Sequence, residues 1–107
     1  MNKFILSLTL FLTALNSLAG ELIKDATIST VGNTSSGGPD FFVRVTGGVG
    51  PCSDSLIKFP ESEKASEDSY KLAMTIALAA FNAKNKVRIH NFTSDSCSGA
   101  SFISVSN

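Results

Sequence analysis

Residues 70–90, YKLAMTIALAAFNAKNKVRIH, decide the fold, because their apolar pattern changes from helical to extended periodicity within one short segment. In the first part, apolar residues recur at intervals of three and four, which predicts an amphipathic helix that ends near Lys84. From Lys86 to Phe92 the pattern alternates strictly, which predicts a strand with Val87 and Ile89 on one side. The predicted core stripe of the helix is Tyr70, Met74, Ala77 and Phe81, flanked by Ala73, Ile76 and Ala80.

Four further segments have strand character, three before the helix and one after it. They are rich in β-branched and aromatic residues, and turn formers such as glycine and proline separate them. In the second of them Phe41, Val43 and Val45 share one face, as expected of an antiparallel sheet with one buried side. The predicted strands are Ala26–Val31, Asp40–Thr46, Ser55–Phe59 and Ala100–Val105.

The resulting order, β-β-β-α-β-β, predicts a mainly β protein with one α-helix. This is the element order of an OB-fold, a five-stranded partly open barrel that binds oligosaccharides and oligonucleotides in other proteins. Ser62 or Ser66 is expected to cap the helix, with Glu67 and Asp68 near the positive end of its dipole. The glycine-rich segment Gly47–Pro51 is expected to be a turn, because neither the Gly-Lys-Ser/Thr nor the helix of a phosphate cradle follows it.

The predicted helix is more apolar than packing on one sheet requires. Every residue from Ile76 to Phe81 is apolar, and a helix that is apolar on most sides must be covered on most sides. A core stripe explains part of this pattern. We expect the remainder to form a subunit interface in a homo-oligomer, and we assign that interface to Met74, Ile76, Leu78 and Phe81.

The first nineteen residues have the layout of a secretory signal peptide. A positive start at Lys3 precedes the apolar run Phe4–Leu15, and small residues at Ser17 and Ala19 precede Gly20. A membrane anchor is the alternative, but a spanning helix needs about twenty apolar residues and this run is shorter. We therefore predict a signal peptide at residues 1–19, cleaved near Ala19, and a single secreted or periplasmic domain at residues 20–107.

Cys52 and Cys97 are the only cysteines, so a single intramolecular pairing exists. We predict a structural disulfide, because an exported domain of this size is only marginally stable without such help. A redox centre would be expected to have the Cys-x-x-Cys spacing, which is absent. A zinc site would have only His90 as a third ligand and would lack a fourth.

Composition argues against several classes of partner. The chain has nine basic and nine acidic residues, and loss of Lys3 with the signal peptide leaves eight basic residues. Such a balance, without a basic stripe, does not favour nucleic acid. The predicted helix contains Glu67, Asp68 and Lys71, so we do not expect it to insert into a membrane.

The side chains needed for catalysis are also missing. His90 is the only histidine, and no serine lies in a Gly-x-Ser-x-Gly elbow. The carboxylate pairs Glu61/Glu63 and Glu67/Asp68 are explained more simply by a solvated segment and a helix start. We predict a non-enzymatic binding protein without a cofactor or a metal. Its neutral charge favours glycan over nucleic acid, but with no tryptophan, one tyrosine and phenylalanines mostly at core-like positions, no ligand-binding residue is assigned.

The segment 70–90 resembles the helix, turn and strand of the B subunit of subtilase cytotoxin and its bacterial relatives, in which an apolar helix leads into a Val-Arg-Ile strand. The resemblance implies an OB-fold, a ring of five subunits and binding of host glycan. In that family a serine before the first strand and a tyrosine after the Val-Arg-Ile segment bind the sugar. This chain has Ile23-Lys24 and His90-Asn91 in those regions, so those roles do not transfer.

These observations predict a secreted or periplasmic, toxin-B-subunit-like domain that binds cell-surface glycan as an oligomer. The sequence identifies no toxin A subunit as a partner. The alternative is a small periplasmic domain that binds another protein, as an inhibitor or an envelope accessory, through the same barrel surface.

Overall fold

The strands and the helix follow one another in the predicted order, β-β-β-α-β-β. The computed structural model describes residues 20–34 and 40–106, and the predicted signal peptide lies outside them. A short 3-10 helix at Glu61–Glu63 precedes the α-helix. The elements are β1 (Glu21–Asn33), β2 (Phe41–Thr46), β3 (Leu56–Phe59), α1 (Glu67–Ala83), β4 (Lys86–His90) and β5 (Phe102–Ser106).

The five strands form one antiparallel sheet in the order β3-β2-β1-β4-β5. The long strand β1 pairs with a strand on each side, β2 and β4. Its C-terminal part, from Thr27 to Asn33, pairs with β2, and its N-terminal part, from Glu21 to Thr27, pairs with β4. A curved first strand shared in this way gives the partly open barrel of the OB type, which confirms the predicted fold class.

Strand β1 is longer than the predicted Ala26–Val31 because an irregularity interrupts its alternation. Asp25 has a positive φ of 59°, and the pairing with β4 shifts on both sides of Ile23. Leu22 and Ile23 are both fully buried although they are adjacent. A bulge that bends a strand turns two neighbouring side chains toward the same core, which a strict two-residue period does not predict.

The glycine-rich turn after β2 packs its backbone against this bent part of β1. Val49 and Lys24 exchange both main-chain hydrogen bonds, at 2.9 and 3.0 Å. A Cβ atom on Gly50 would lie 2.4 Å from the carbonyl oxygen of Leu22, and one on Gly48 would lie 2.6 Å from that of Lys24. These glycines therefore allow a close approach of two backbone segments.

Helix α1 packs on β1 and β5 through small side chains. Ser66 caps its first turn by accepting a hydrogen bond from the amide of Ser69. The predicted core stripe is wrong at Phe81, which is exposed, whereas Met74 is half-buried and packs against the core. Alanine side chains let the helix lie close to the sheet, which turns the larger residues outward. The buried residues are Tyr70, Ala73, Ala77 and Ala80.

Tyr70 connects the start of the helix to β2 and β3. Its hydroxyl donates a hydrogen bond of 2.5 Å to the carbonyl of Phe59 and accepts one of 3.2 Å from the amide of Phe41. Its ring meets Phe41 edge-on, and Phe41 stacks on Phe59 with ring centroids 4.5 Å apart. Burial raises the pKa of the Tyr70 hydroxyl. The hydroxyl therefore stays protonated, and keeps its hydrogen bond to Phe59, past the usual pKa of tyrosine.

The segment that leads into β5 is hydrogen-bonded to the edge strand β3. The amide of Lys58 in β3 donates to the carbonyl of Cys97 at 2.8 Å, and the amide of Ala100 donates to the carbonyl of Lys58 at 3.0 Å. The predicted disulfide is present at the same place and joins Cys97 to the fully buried Cys52, with the Cα atoms 5.9 Å apart. It links positions 45 residues apart in sequence, so the loop that it closes spans about half of the domain.

We predict that Cys52→Ser lowers the melting temperature of the mature protein by about 10 °C or more. Loss of a native disulfide from a small domain costs roughly 2–5 kcal/mol, and about 1 kcal/mol shifts the midpoint by about 4–8 °C at this size. Cys97→Ser is the matched control and should lower it equally, with no further loss in the double variant. Equal melting of the oxidised and the reduced wild-type protein would contradict the stabilising role of the crosslink.

Candidate functional site

The four residues predicted to form a subunit interface do not make one continuous patch. Met74, Leu78 and Phe81 lie along one flank of α1, at spacings of four and three residues. Ile76 lies on the opposite flank beside the exposed Leu72, where both face Phe102 and Ile103 across a shallow groove. Leu78 and Phe81 are exposed, and Met74 and Ile76 are half-buried.

The loop that follows β4, residues 91–101, is organised by one buried amide. Asn91 is 1% exposed and is the only buried polar residue in the part of the chain that the structure describes. Its Oδ1 accepts from the Thr93 amide, the Thr93 hydroxyl and the Ser94 amide at 2.8–3.1 Å. Its Nδ2 donates to the Ser94 hydroxyl at 3.1 Å and to the Ser96 carbonyl at 3.0 Å. This set of bonds is an Asx turn extended over residues 91–96.

The same loop encloses a small polar cleft. A cavity of about 210 Å³ opens to the surface here, lined by Gly20 and by Asn91 to Asp95. The amide of Asn91 donates to the carbonyl of Gly20 at 2.8 Å, which attaches the loop to the start of β1. We call this cavity the loop cleft.

Three aromatic rings adjoin the loop cleft. His90 and Phe92 stack with centroids 5.4 Å apart, and Phe102 meets both rings edge-on at 5.3 and 5.9 Å. Phe92 is 69% exposed and Phe102 is 40% exposed. We call His90, Phe92 and Phe102 the aromatic patch. In other proteins, contiguous exposed apolar patches mark interaction sites.

This patch contradicts the prediction that the phenylalanines lie mostly at core-like positions. Phe41 and Phe59 are buried as expected, whereas Phe81, Phe92 and Phe102 are exposed. The exposure of Phe92 follows from its position in the alternating pattern of the strand. It continues the outward series of Arg88 and His90 rather than the inward series of Val87 and Ile89. Phe102 joins it because β5 pairs that residue with His90.

The charged groups beside the patch pair with one another. Glu21 lies opposite His90 in the register of β1 and β4. Its Oε2 is 3.3 Å from Nε of Arg88 and 3.9 Å from Nε2 of His90. The other ring nitrogen of His90, Nδ1, is buried without a hydrogen-bond partner among the described residues. The two ring nitrogens of His90 therefore point toward the protein, and the face of the ring stacks on Phe92.

Within residues 20–34 and 40–106, no group of three or more His, Cys, Asp or Glu side chains could hold a metal ion. No helix in these ranges is long and apolar enough to cross a membrane.

Fold and site together define a small disulfide-bonded protein with a partly open β-barrel and an exposed aromatic patch beside a polar loop. The chain belongs to DUF5992, a family of unknown function, whose pattern it matches over residues 3–107. Searches of curated proteins and of solved structures found no match. The resemblance to the B subunit of subtilase cytotoxin stays a prediction.

We predict that Asn91→Ala lowers the free energy of unfolding by about 2–3 kcal/mol, because it removes five hydrogen bonds and leaves the amides of Thr93 and Ser94 without their partner. Asn82→Ala, at an exposed position near the end of α1, is the control and should change stability by less than about 0.5 kcal/mol. Urea denaturation measures both variants. Equal stability of the two would show that the Asn91 bonds do not hold the loop.

Proposed function

We propose that residues 20–107 are an exported, non-enzymatic domain that binds cell-surface glycan as an oligomer. The observation that carries this proposal is the juxtaposition of the aromatic patch and the loop cleft. In OB-folds the loop between the fourth and fifth strands is one of the places where oligosaccharides bind. In this protein that loop forms the cleft and contributes Phe92 to the patch.

The chemistry of the site suits a sugar. A pyranose ring has an apolar C–H face and a rim of hydroxyl groups. The exposed ring of Phe92 offers a flat apolar surface for the C–H face. The hydroxyls of Thr93 and Ser94 and the carboxylate of Asp95 offer hydrogen bonds to the sugar hydroxyls. Sites that combine apolar walls with a few fixed polar groups are typical of small-ligand binding.

Export is supported by the disulfide and by the predicted signal peptide. Disulfides persist in the periplasm and outside the cell and are rare in the cytosol. Cys52 is fully buried and its bond to Cys97 attaches the segment before β5 to the core, so the crosslink is part of the folded structure. A secreted or periplasmic location would bring the aromatic patch into contact with surface glycans.

Assembly into an oligomer is supported by the two apolar flanks of α1. Leu78 is 45% exposed and Phe81 is 37% exposed on one flank, and Leu72 is 60% exposed on the other. Two different apolar surfaces on one helix suit a ring, in which each subunit presents one surface to one neighbour and the second to the next.

We predict that the oxidised mature protein binds at least one glycan on an array. Phe92→Ala should weaken this binding by about tenfold or more, because it removes the flat apolar face that contacts the sugar. That factor corresponds to about 1.4 kcal/mol. Val49→Ala is the matched control, since Val49 is 63% exposed and does not line the loop cleft. Absence of binding to every glycan would refute the proposed function. Equal binding by the Phe92 and Val49 variants would place the site elsewhere.

We predict that the mature protein has the mass of five subunits, as the resemblance implies. Light scattering measures this mass. Leu78→Glu should lower that mass, because it puts a charge into an apolar contact. Thr75→Glu adds the same charge on the solvent side of the same helix, where Thr75 is exposed, and should leave the mass unchanged. A monomeric wild-type protein would contradict assembly, and an unchanged mass for Leu78→Glu would exclude that flank.

The edge strand β5 favours a second candidate function, binding of another protein. Its sequence, Phe-Ile-Ser-Val-Ser, contains no charge or proline, the residues that usually protect an edge from pairing. The other edge, β3, is engaged at Lys58 by the segment before β5. An extended peptide could add to β5 beside Leu72 and Ile76 of α1. A monomer without glycan binding would favour this function over the first.

A further inference from the structure

We propose that removal of the signal peptide completes the loop cleft. It leaves the α-ammonium group of Gly20 in the cleft, where this group pairs with the carboxylate of Asp95 and donates hydrogen bonds to a bound sugar. The inference rests on the proposed export and glycan binding, and it adds a binding group to the same site. It follows from the fixed position of Gly20, from the charges around the cleft and from the hydrogen-bonding groups of its wall.

The start of the mature chain is held at the loop cleft. Gly20 is one of the residues that line the cleft. Its carbonyl accepts from the amide of Asn91 at 2.8 Å, and the next residue, Glu21, lies opposite His90 in the pairing of β1 with β4. A Cβ atom on Gly20 would lie 3.3 Å from the carbonyl oxygen of Asn91, so the two backbones are in contact. Chain termini are usually poorly ordered unless they are tied down, and these contacts tie this one to the cleft.

The charges around the cleft leave one carboxylate for the α-ammonium group. Asp95 is the only charged side chain that lines the loop cleft, and it makes no ion pair within the part of the chain that the structure describes. Glu21 is adjacent in sequence, but its Oε2 is 3.3 Å from Nε of Arg88 and 3.9 Å from Nε2 of His90. The side chain of Asp95 is exposed, so it is free to turn toward the cation. Opposite charges on the wall of one small cavity attract each other.

The ammonium group changes what the cleft offers to a sugar. In the precursor, the nitrogen of Gly20 belongs to an uncharged peptide group with a single hydrogen, whereas after cleavage it is a cation with several hydrogens to donate. The hydroxyl of Thr93 donates to Oδ1 of Asn91, so the Thr93 oxygen remains an acceptor, and the carboxylate of Asp95 only accepts. One sugar hydroxyl can then accept from the ammonium group while a neighbouring hydroxyl donates to the carboxylate. Hydrogen bonds to charged groups are the stronger kind, and the cleft gains its cationic donor only after export.

The ion pair is tested by the rate at which an amine-acylating reagent modifies the α-amine of the protein that begins at Gly20. Mass spectrometry of the N-terminal peptide measures this rate at neutral pH. Asp95→Asn keeps the shape of the side chain and removes its charge, so it should raise the rate by about threefold, a modest factor because the pair is exposed. Asp68→Asn, at an exposed carboxylate in the first turn of α1, is the matched control and should leave the rate unchanged. Equal rates in the wild type and in Asp95→Asn would overturn the pair.

The contribution to binding is tested with three forms of the mature chain, each checked for folding by its melting temperature. The first begins at Gly20, and the second carries an acetyl group on Gly20, which removes the charge. The third keeps Ala19 in front of Gly20, which moves the charge along the chain by about 3.8 Å. Calorimetric titration with an oligosaccharide that the first form binds on an array should give affinities about tenfold lower for the other two. Equal affinity of the first and the acetylated form would overturn this role.

The remaining results separate this inference from the proposed function. N-terminal sequencing of the exported protein should give Gly20 as the first residue, and a different start would overturn the inference while leaving glycan binding intact. Absence of glycan binding by all three forms would overturn the proposed function and the role of the ammonium group in it. The acylation rates would still decide whether the pair with Asp95 exists.

Discussion

The closure between β3 and the segment before β5 is the constraint on which the rest of the structure depends. An open five-stranded sheet has two edges, and here one short stretch of main chain bridges them at Lys58. The disulfide makes that bridge covalent by joining Cys97 to the core residue Cys52. Without it, β5 and the loop before it would be held to the domain mainly through β4 and the helix. In a domain of this size such a crosslink contributes a large fraction of the net stability.

The same closure shapes the candidate site. The loop from 91 to 101 leaves β4 at Asn91, which is bonded to Gly20, and returns to the barrel at Cys97 and Ala100. Between these two anchors the side chain of Asn91 fixes the path of the chain. A loop held at both ends and in its middle presents its hydroxyls and Phe92 without first being ordered by a ligand. Such preorganisation lowers the entropy cost of binding.

The sequence predicts those parts of the fold that depend on local periodicity. The change of period within residues 70–90, the positions of all five strands and the cysteine pair are predicted correctly. The full length of β1 is not, because the bulge near Asp25 places Leu22 and Ile23 on the same side. The buried face of α1 is only partly predicted. Which side of α1 is buried depends on how closely the helix packs on the sheet. Buried alanines allow this close packing, and the sequence does not show which alanines face the sheet.

The candidate site could be predicted less well, for a physical reason. The parity of Phe92 with Arg88 and His90 was available in the sequence, but its partner Phe102 is brought to it by the pairing of two strands. The role of Asn91 depends on a loop conformation that no residue pattern specifies. The four residues assigned to an interface share one helix but face two directions, since residues two apart on a helix lie on different sides.

The central claim is that the closure at Cys97 holds the loop that carries the site. Hydrogen exchange of the mature protein, oxidised and reduced, tests it most directly at a temperature where both forms are folded. The account predicts that after reduction the amides of Thr93, Ser94 and Ser96, which are bonded within the loop, exchange about tenfold faster or more, while those in the middle of α1 change much less. Unchanged exchange at these three amides would contradict it.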